Sequence, residues 1–199
     1  MEKFTKLTAV AAPFPRKNVD TDYIIRVERC TGTPRSEIGR YAFEMARFLP
    51  GGAENPEFVF NQAPWREAKI MVCGEFFGTG SSREMAVWAI AGMGVRCLIA
   101  PSFGEIFYGN CFQNGLLAIV LPASVVDELM KNASEPDAKP FTVDLEKQTI
   151  NGTVRFDIDP RRRKMLLEGL DEIGLTLALD SKISTFQAAD RQRRPWIYR

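Results

Sequence analysis

From residue 69 onward, short apolar blocks alternate with polar, helix-compatible stretches, and that alternation predicts the architecture. Lys69-Ile70-Met71-Val72-Cys73 is an apolar run of the buried-strand kind. A glycine-punctuated turn follows, Gly74 to Gly80, and residues 81–92 read as a helix. Residues 96–100 then read as a strand, 102–114 as a helix stopped by Gly115, 116–121 as a strand and 124–132 as a helix. Strands joined by single helices build parallel βαβ units with right-handed crossovers. The expected fold class is α/β, a three-layer arrangement on a mostly parallel core sheet.

The flanks read differently. The first third looks irregular: Val19-Asp20-Thr21-Asp22 suggests a turn leading into a short strand at Tyr23-Ile24-Ile25. A polar, basic stretch, 26–34, follows, then a helix over 36–48 with Ser36 as its cap and Pro50-Gly51-Gly52 as its stop. Phe58-Val59-Phe60 either pairs briefly or packs. Near the C-terminus, residues 141–145 and 147–150 suggest strands, and Asn151-Gly152 is a hairpin turn into 153–158. Asp159-Pro160 is a cap followed by proline at the first helical position, opening a helix that ends at Gly169. A last helix spans about 181–191, and the basic tail 191–199 reads as a solvated terminus.

Composition narrows the functions available. The chain has 199 residues, 26 Lys+Arg against 25 Asp+Glu, and a net charge of +1, so nothing steers it toward nucleic acid or an anionic membrane. No apolar run reaches the roughly 18 residues of a membrane span, and the start is too charged for a signal peptide, so the cytoplasm is the expected location. There is no histidine, which excludes Ser-His-Asp and Cys-His catalysis and histidine-ligated metals. The cysteines Cys30, Cys73, Cys97 and Cys111 include no C-x-x-C pair, so no cofactor is expected to be bound by this chain itself. Cys73 and Cys97 lie in strand-like apolar runs and read as buried thiols.

The chemistry concentrates in Gly78-Thr79-Gly80-Ser81-Ser82-Arg83-Glu84, directly after a buried strand and ahead of a helix. In open α/β sheets that position faces the ligand crevice. Free backbone N–H groups favour an anion there, the glycines admit a ligand close to the backbone, and Arg83 can grip a carboxylate with two hydrogen bonds. The segment completes neither a P-loop nor a G-x-G-x-x-G pattern. Ser81-x-x-Glu84 is also a capping box, and both readings hold together if Ser82 caps while Ser81 faces the cleft. A serine among amide donors and beside an arginine has its alkoxide stabilised, so Ser81 is a candidate base for removing a proton next to a carboxylate. Loss of the hydroxyl would then need a Lewis acid from a partner.

Five segments carry a resemblance: Val19-Asp20-Thr21-Asp22-x-Ile24-Ile25, Phe77-Gly78-x-Gly80-Ser81-Ser82-Arg83-Glu84, Ile99-Ala100-Pro101-Ser102-Phe103-x-x-Ile106-Phe107, Asn114-Gly115-Leu116-Leu117 and Gly169-Leu170-Asp171-x-Ile173-Gly174-Leu175-Thr176. Together they resemble the small subunit of 3-isopropylmalate dehydratase, in the aconitase superfamily. The resemblance implies a single swivelling β/β/α domain over 1–199, with a mobile substrate loop at 26–34. It implies a large-subunit partner carrying a 4Fe-4S cluster that takes the substrate hydroxyl, in a heterodimer or heterotetramer. It implies a small hydroxy di- or tricarboxylic acid as substrate, Ser81 as base, and Ser82 and Arg83 on the substrate carboxylate, with Gly80, Thr79, Arg26 and Arg29 in the binding set. Four departures from the family pattern stand out: Thr79 in place of cysteine, Met85 in place of histidine, Val87 in place of proline, and a charged Arg26-Val27-Glu28-Arg29-Cys30 loop. They leave isopropylmalate and leucine biosynthesis beside a second reading, a paralogue acting on a methylmalate-, dimethylmalate- or homoaconitate-type acid. The residues also admit a carboxylate-binding module without catalysis.

Overall fold

The computed structural model describes residues 1–135, 137 and 139–198. Among them, strands β1 (Lys6–Ala9), β2 (Ala11–Phe14), β3 (Ile70–Cys73), β4 (Cys97–Ala100), β5 (Leu117–Val120), β6 (Phe141–Asp144), β7 (Thr149–Ile150) and β8 (Val154–Arg155) form two sheets. The helices are α1 (Thr21–Ile24), α2 (Val27–Cys30), α3 (Glu44–Arg47), α4 (Glu84–Gly92), α5 (Glu105–Gln113), α6 (Ala123–Ser134), α7 (Pro160–Glu168), α8 (Glu172–Leu177) and α9 (Asp180–Arg193). The parallel sheet runs β2-β3-β4-β5, and α4 and α5 make the crossovers between its last three strands. Every residue of β3 and β4 is buried, which is why they read as unbroken apolar runs instead of an alternation. The antiparallel sheet runs β1-β6-β7-β8. The α/β class and the parallel core are as the sequence predicted.

Local chemistry accounts for the C-terminal third. Asp159 caps α7 by accepting from the N–H groups of Arg161 and Arg162, both at 3.0 Å, with Pro160 at the first position. Gly169 closes the helix at φ +71°. The Asn151-Gly152 turn forms, though the strands on either side are shorter than predicted. Asn151 Oδ1 also accepts from Thr142 N at 2.8 Å, tying the turn to β6.

The N-terminal third departs from expectation in four places. It is not irregular throughout: β1 pairs with β6, where the Thr8 and Thr142 hydroxyls meet at 2.9 Å across 134 residues of sequence. β2, which contains Pro13, forms the edge of the parallel sheet. Residues 23–25 are not a strand. Asp20 Oδ1 accepts from Tyr23 N at 2.7 Å and caps the single turn of α1, which buries Ile24. The helix predicted over 36–48 splits into a 3-10 turn, Ile38–Tyr41, and α3. Between them Phe43 sits at φ +55°, its N–H donating to Ile24 O at 2.7 Å. Its ring lies 5.3 Å from that of Phe14, 5.7 Å from Phe58 and 6.0 Å from Tyr23. A left-handed residue costs about 1–2 kcal/mol, and burying this ring in an aromatic cluster offsets it. A regular helix would break that packing.

Candidate active site

The loop after β3 is held in place by backbone bonds to the segment before α1. Gly78 N and Thr79 N both donate to Val19 O, at 2.7 and 3.1 Å, and Thr21 N donates to Thr79 O at 2.9 Å. On its other side Phe77 N donates to Ser102 O at 3.1 Å and Gly104 N to Phe77 O at 2.9 Å. Gly78 has φ +76°, and a Cβ there would stand 2.3 Å from the Phe107 ring, so both the conformation and the space require glycine. The Val19–Asp22 and Phe77–Glu84 motifs, far apart in sequence, are thus one structure.

Ser81 emerges from this clamp with its peptide fixed and its hydroxyl free. Its carbonyl accepts from Thr21 Oγ1 at 3.0 Å and from Arg83 N at 2.8 Å. The side chains of Ser81 and Ser82 are exposed, and among the described residues neither hydroxyl has a hydrogen-bond partner. The predicted capping box is not formed. Helix α4 begins at Glu84, later than the Ser81 start read from the sequence, with Arg83 as its cap residue and no side-chain cap bond. Neither Ser81 nor Ser82 caps it, and Glu84 Oε1 instead accepts from Asn114 Nδ2 at 2.8 Å. Among the described residues the N–H groups of Gly80, Ser81 and Ser82 donate to no protein atom. The result is a cluster of open donors around two free hydroxyls, which suits an anion.

Arg83 is the most enclosed charge beside the loop, its side chain only 17% exposed. Its Nη1 lies 2.5 Å from Asp22 Oδ1, but the geometry is that of an ion pair, and Nη1 is buried without a directed hydrogen bond. Asp22 holds the guanidinium above its ordinary pKa, outweighing the opposing effect of burial. Asp22 belongs to a motif the sequence singled out, yet only the tertiary structure connects it to Arg83. Cys30 stands near this pair; burial pushes its thiol up, with Arg83 acting in the other direction.

Arg26 and Arg29 are engaged with carboxylates of their own surroundings. Arg29 grips Glu44 at 2.5 and 3.0 Å, and Arg26 grips Glu28 at 3.0 and 3.2 Å. The loop's two arginines are therefore charge-paired, Arg26 within the loop and Arg29 to α3, and Val27 on α2 is 53% exposed. A cavity of about 700 Å³, lined by Arg26, Tyr41, Glu44, Met45, Phe48 and Leu49 among others, opens beside the loop, apart from Ser81 and Arg83. Thr79 is half-buried, and Met85 packs half-buried against the core.

Metal donors do not assemble here. Among the described residues no three His, Cys, Asp or Glu side chains are grouped so that they could hold a metal ion. Cys73, Cys97 and Cys111 are buried, and burial raises all three thiols, the reverse of what a thiolate ligand needs. This chain's residues do not fit an iron–sulfur cluster. Among the described residues no helix is long and apolar enough to cross a membrane.

The model of the aconitase C-terminal domain matches residues 1–124, the part of the chain that holds the parallel sheet and the serine–arginine loop. Residues 172–199 match the C-terminal domain of the 3-isopropylmalate dehydratase small subunit. Proteins named 3-isopropylmalate dehydratase small subunit are similar along nearly the whole chain. That of Gluconacetobacter diazotrophicus is 50% identical over 98% of this chain and 97% of its own length. That of Roseobacter denitrificans is 50% identical over 99% of this chain and 100% of its own. The crystal structure of 3-isopropylmalate dehydratase from Methanocaldococcus jannaschii aligns with a TM-score of 0.64 at 25% identity, covering 92% of this chain and 99% of that one. The chain belongs to the 3-isopropylmalate dehydratase small-subunit family and is a subunit of a hydro-lyase, a complex that implies a large-subunit partner.

Proposed function

We propose that Ser81 is the base of this hydro-lyase and that Arg83 binds a substrate carboxylate. The single observation that carries this reading is the state of Ser81: a backbone fixed by Thr21 and Arg83, and an exposed hydroxyl with no partner among the described residues. As alkoxide, Ser81 Oγ accepts the proton from the carbon next to the carboxylate. The charge left on that carbon spreads into the carboxylate, where Arg83 and the open N–H groups of Gly80 and Ser82 stabilise it. Ser82 and Thr79 complete the polar wall. Departure of the substrate hydroxyl would fall to the large subunit, where the resemblance puts a 4Fe-4S cluster that would supply the Lewis acid; among the described residues of this chain no metal-binding group is assembled for that step. The cytoplasm fits a chain of this kind.

For the substrate, 3-isopropylmalate on the route to leucine is the reading supported by the names of the relatives. In the 26–34 loop Arg26 and Arg29 are charge-paired and Val27 is exposed, and the loop's charge is what keeps the paralogue reading in the test. Arg26 and Arg29, ion-paired here as Arg83 is with Asp22, stay in the proposed binding set. A substrate panel on the complex reconstituted anaerobically with the large subunit tests this. Isopropylmalate should exceed methylmalate, dimethylmalate and homoaconitate in kcat/KM by about tenfold or more, the worth of a fitted branch. A preference for one of the other three acids would instead select the paralogue reading.

Arg83→Lys keeps the charge but loses the planar fork. It should raise KM for the diacid about 10- to 100-fold, with a smaller change in kcat, in steady-state assays of the same complex. Asp22→Asn removes the partner that orients the fork. KM should again rise, with a measurable loss of thermal stability, because Asp22 is exposed but its change leaves the enclosed Arg83 guanidinium without its counter-ion. Unchanged KM in both variants would remove Arg83 from carboxylate binding.

A further inference from the structure

The arm formed by α8, α9 and the closing turn Pro195–Tyr198 buries almost nothing. Among its described residues Asp190 is the only buried side chain. Ile173, Leu177, Leu179, Phe186, Trp196 and Ile197 are all exposed, Ile173 to 69% and Phe186 to 64%. Ile173 and Leu177 share a face of α8, and Leu179, Ile183 and Phe186 recur at the spacing of a single helical stripe. The arm is nevertheless shaped. Asp190 accepts from Arg194 Nε at 2.7 Å and from the Tyr198 hydroxyl at 2.8 Å, bonds that fold the closing turn back onto α9 and hold the Asp190 carboxyl below its usual range. Short helices are marginal in water without tertiary packing, and an ordered arm this apolar is built to be covered.

Two observations identify the cover. The core, residues 1–124, matches the aconitase C-terminal domain, whereas the arm matches a domain named for the dehydratase small subunit. A domain carried in the same chain as its catalytic partner has an effective concentration near the millimolar range, and a separate subunit loses that and needs contact surface in its place. The arm also has the make-up of one side of a standard interface, roughly 20–30 residues with an apolar centre and a polar rim. Arg191 and Arg193 supply that rim, with no ion-pair partner among the described residues.

We infer that this arm is the docking element for the dehydratase large subunit, an inference that rests on the chain acting as the small subunit of that enzyme. The test uses the full chain carrying Ile173→Ser, Leu177→Ser and Phe186→Ser together, with Val120→Ser as an exposed apolar control elsewhere. The melting temperature of the triple variant should stay near that of the parent, since all three side chains are exposed. Its Kd for the anaerobically prepared large subunit should rise about tenfold or more, with Val120→Ser unaffected. Turnover at saturating large subunit should return to near the parent rate, because the arm does not touch the reacting groups. An unchanged Kd overturns the inference. So does a parent chain that sediments as a dimer which the triple variant dissociates while large-subunit affinity is kept, since the cover is then a second copy. Ser81→Ala in the same assay separates the two claims: normal turnover with intact assembly ends the Ser81 reading and leaves the docking result standing.

Discussion

Replacing Ser81 with alanine lowers turnover of the reconstituted complex by about 10²- to 10⁴-fold, the usual worth of a positioned base. Little else should change. The hydroxyl is exposed and makes no hydrogen bond among the described residues, so its loss leaves no buried partner stranded. The contacts that place the loop run through the Ser81 carbonyl, which alanine keeps, so Thr21 Oγ1 and Arg83 N retain their acceptor. KM should therefore move much less than kcat, and affinity for the large subunit should be unchanged. Single-turnover rates beside a binding isotherm provide both readings. A variant within twofold of the parent rate would show that another group takes the proton.

A large effect on stability is expected at Gly78. Alanine there adopts a left-handed backbone, costing about 1–2 kcal/mol, and drives its Cβ to 2.3 Å from the Phe107 ring, an overpacking worth about 1–3 kcal/mol more. For a chain of this size each kcal/mol moves the melting temperature about 2–4 °C, so a fall of roughly 5–15 °C is expected. Gly51→Ala is the control: φ is +100°, but nothing lies within 4 Å of the added Cβ, so only the backbone cost applies. Gly78→Ala should also lose activity, because Phe107 and Val19 fix the loop that presents Ser81. Equal melting temperatures for the two variants would show that the ring contact does not set the loop.

The helix over 36–48 shows where sequence reading failed and why. Its residues are compatible with a helix, and what interrupts it is the demand of Phe14, Tyr23 and Phe58 for the Phe43 ring, three contacts no local pattern reveals. The capping box failed for a related reason. Ser81-x-x-Glu84 has the right spacing, but the helix starts only at Glu84, and Asn114, from a distant part of the chain, claims the carboxylate that would have turned back to the Ser81 N–H. Strand β1 was invisible because its partner, β6, lies far downstream. By contrast Asp159-Pro160, Asn151-Gly152 and the buried runs of β3 and β4 form from contacts within a few residues or from uniform burial, and each was legible.

The amino-acid order alone determined the parallel βαβ core, the serine–arginine loop at the end of a buried strand, and a chemistry that does without histidine, because each depends on periodicity, on neighbours a few residues apart, or on composition. Tertiary structure decided that Asp22 faces Arg83, that Arg26 and Arg29 are held by Glu28 and Glu44, and that Ser81 is left free while its carbonyl is pinned. Those outcomes depend on which distant segments are brought within hydrogen-bond range, and that is set by closing the sheet and burying the aromatic cluster, not by the residues on either side.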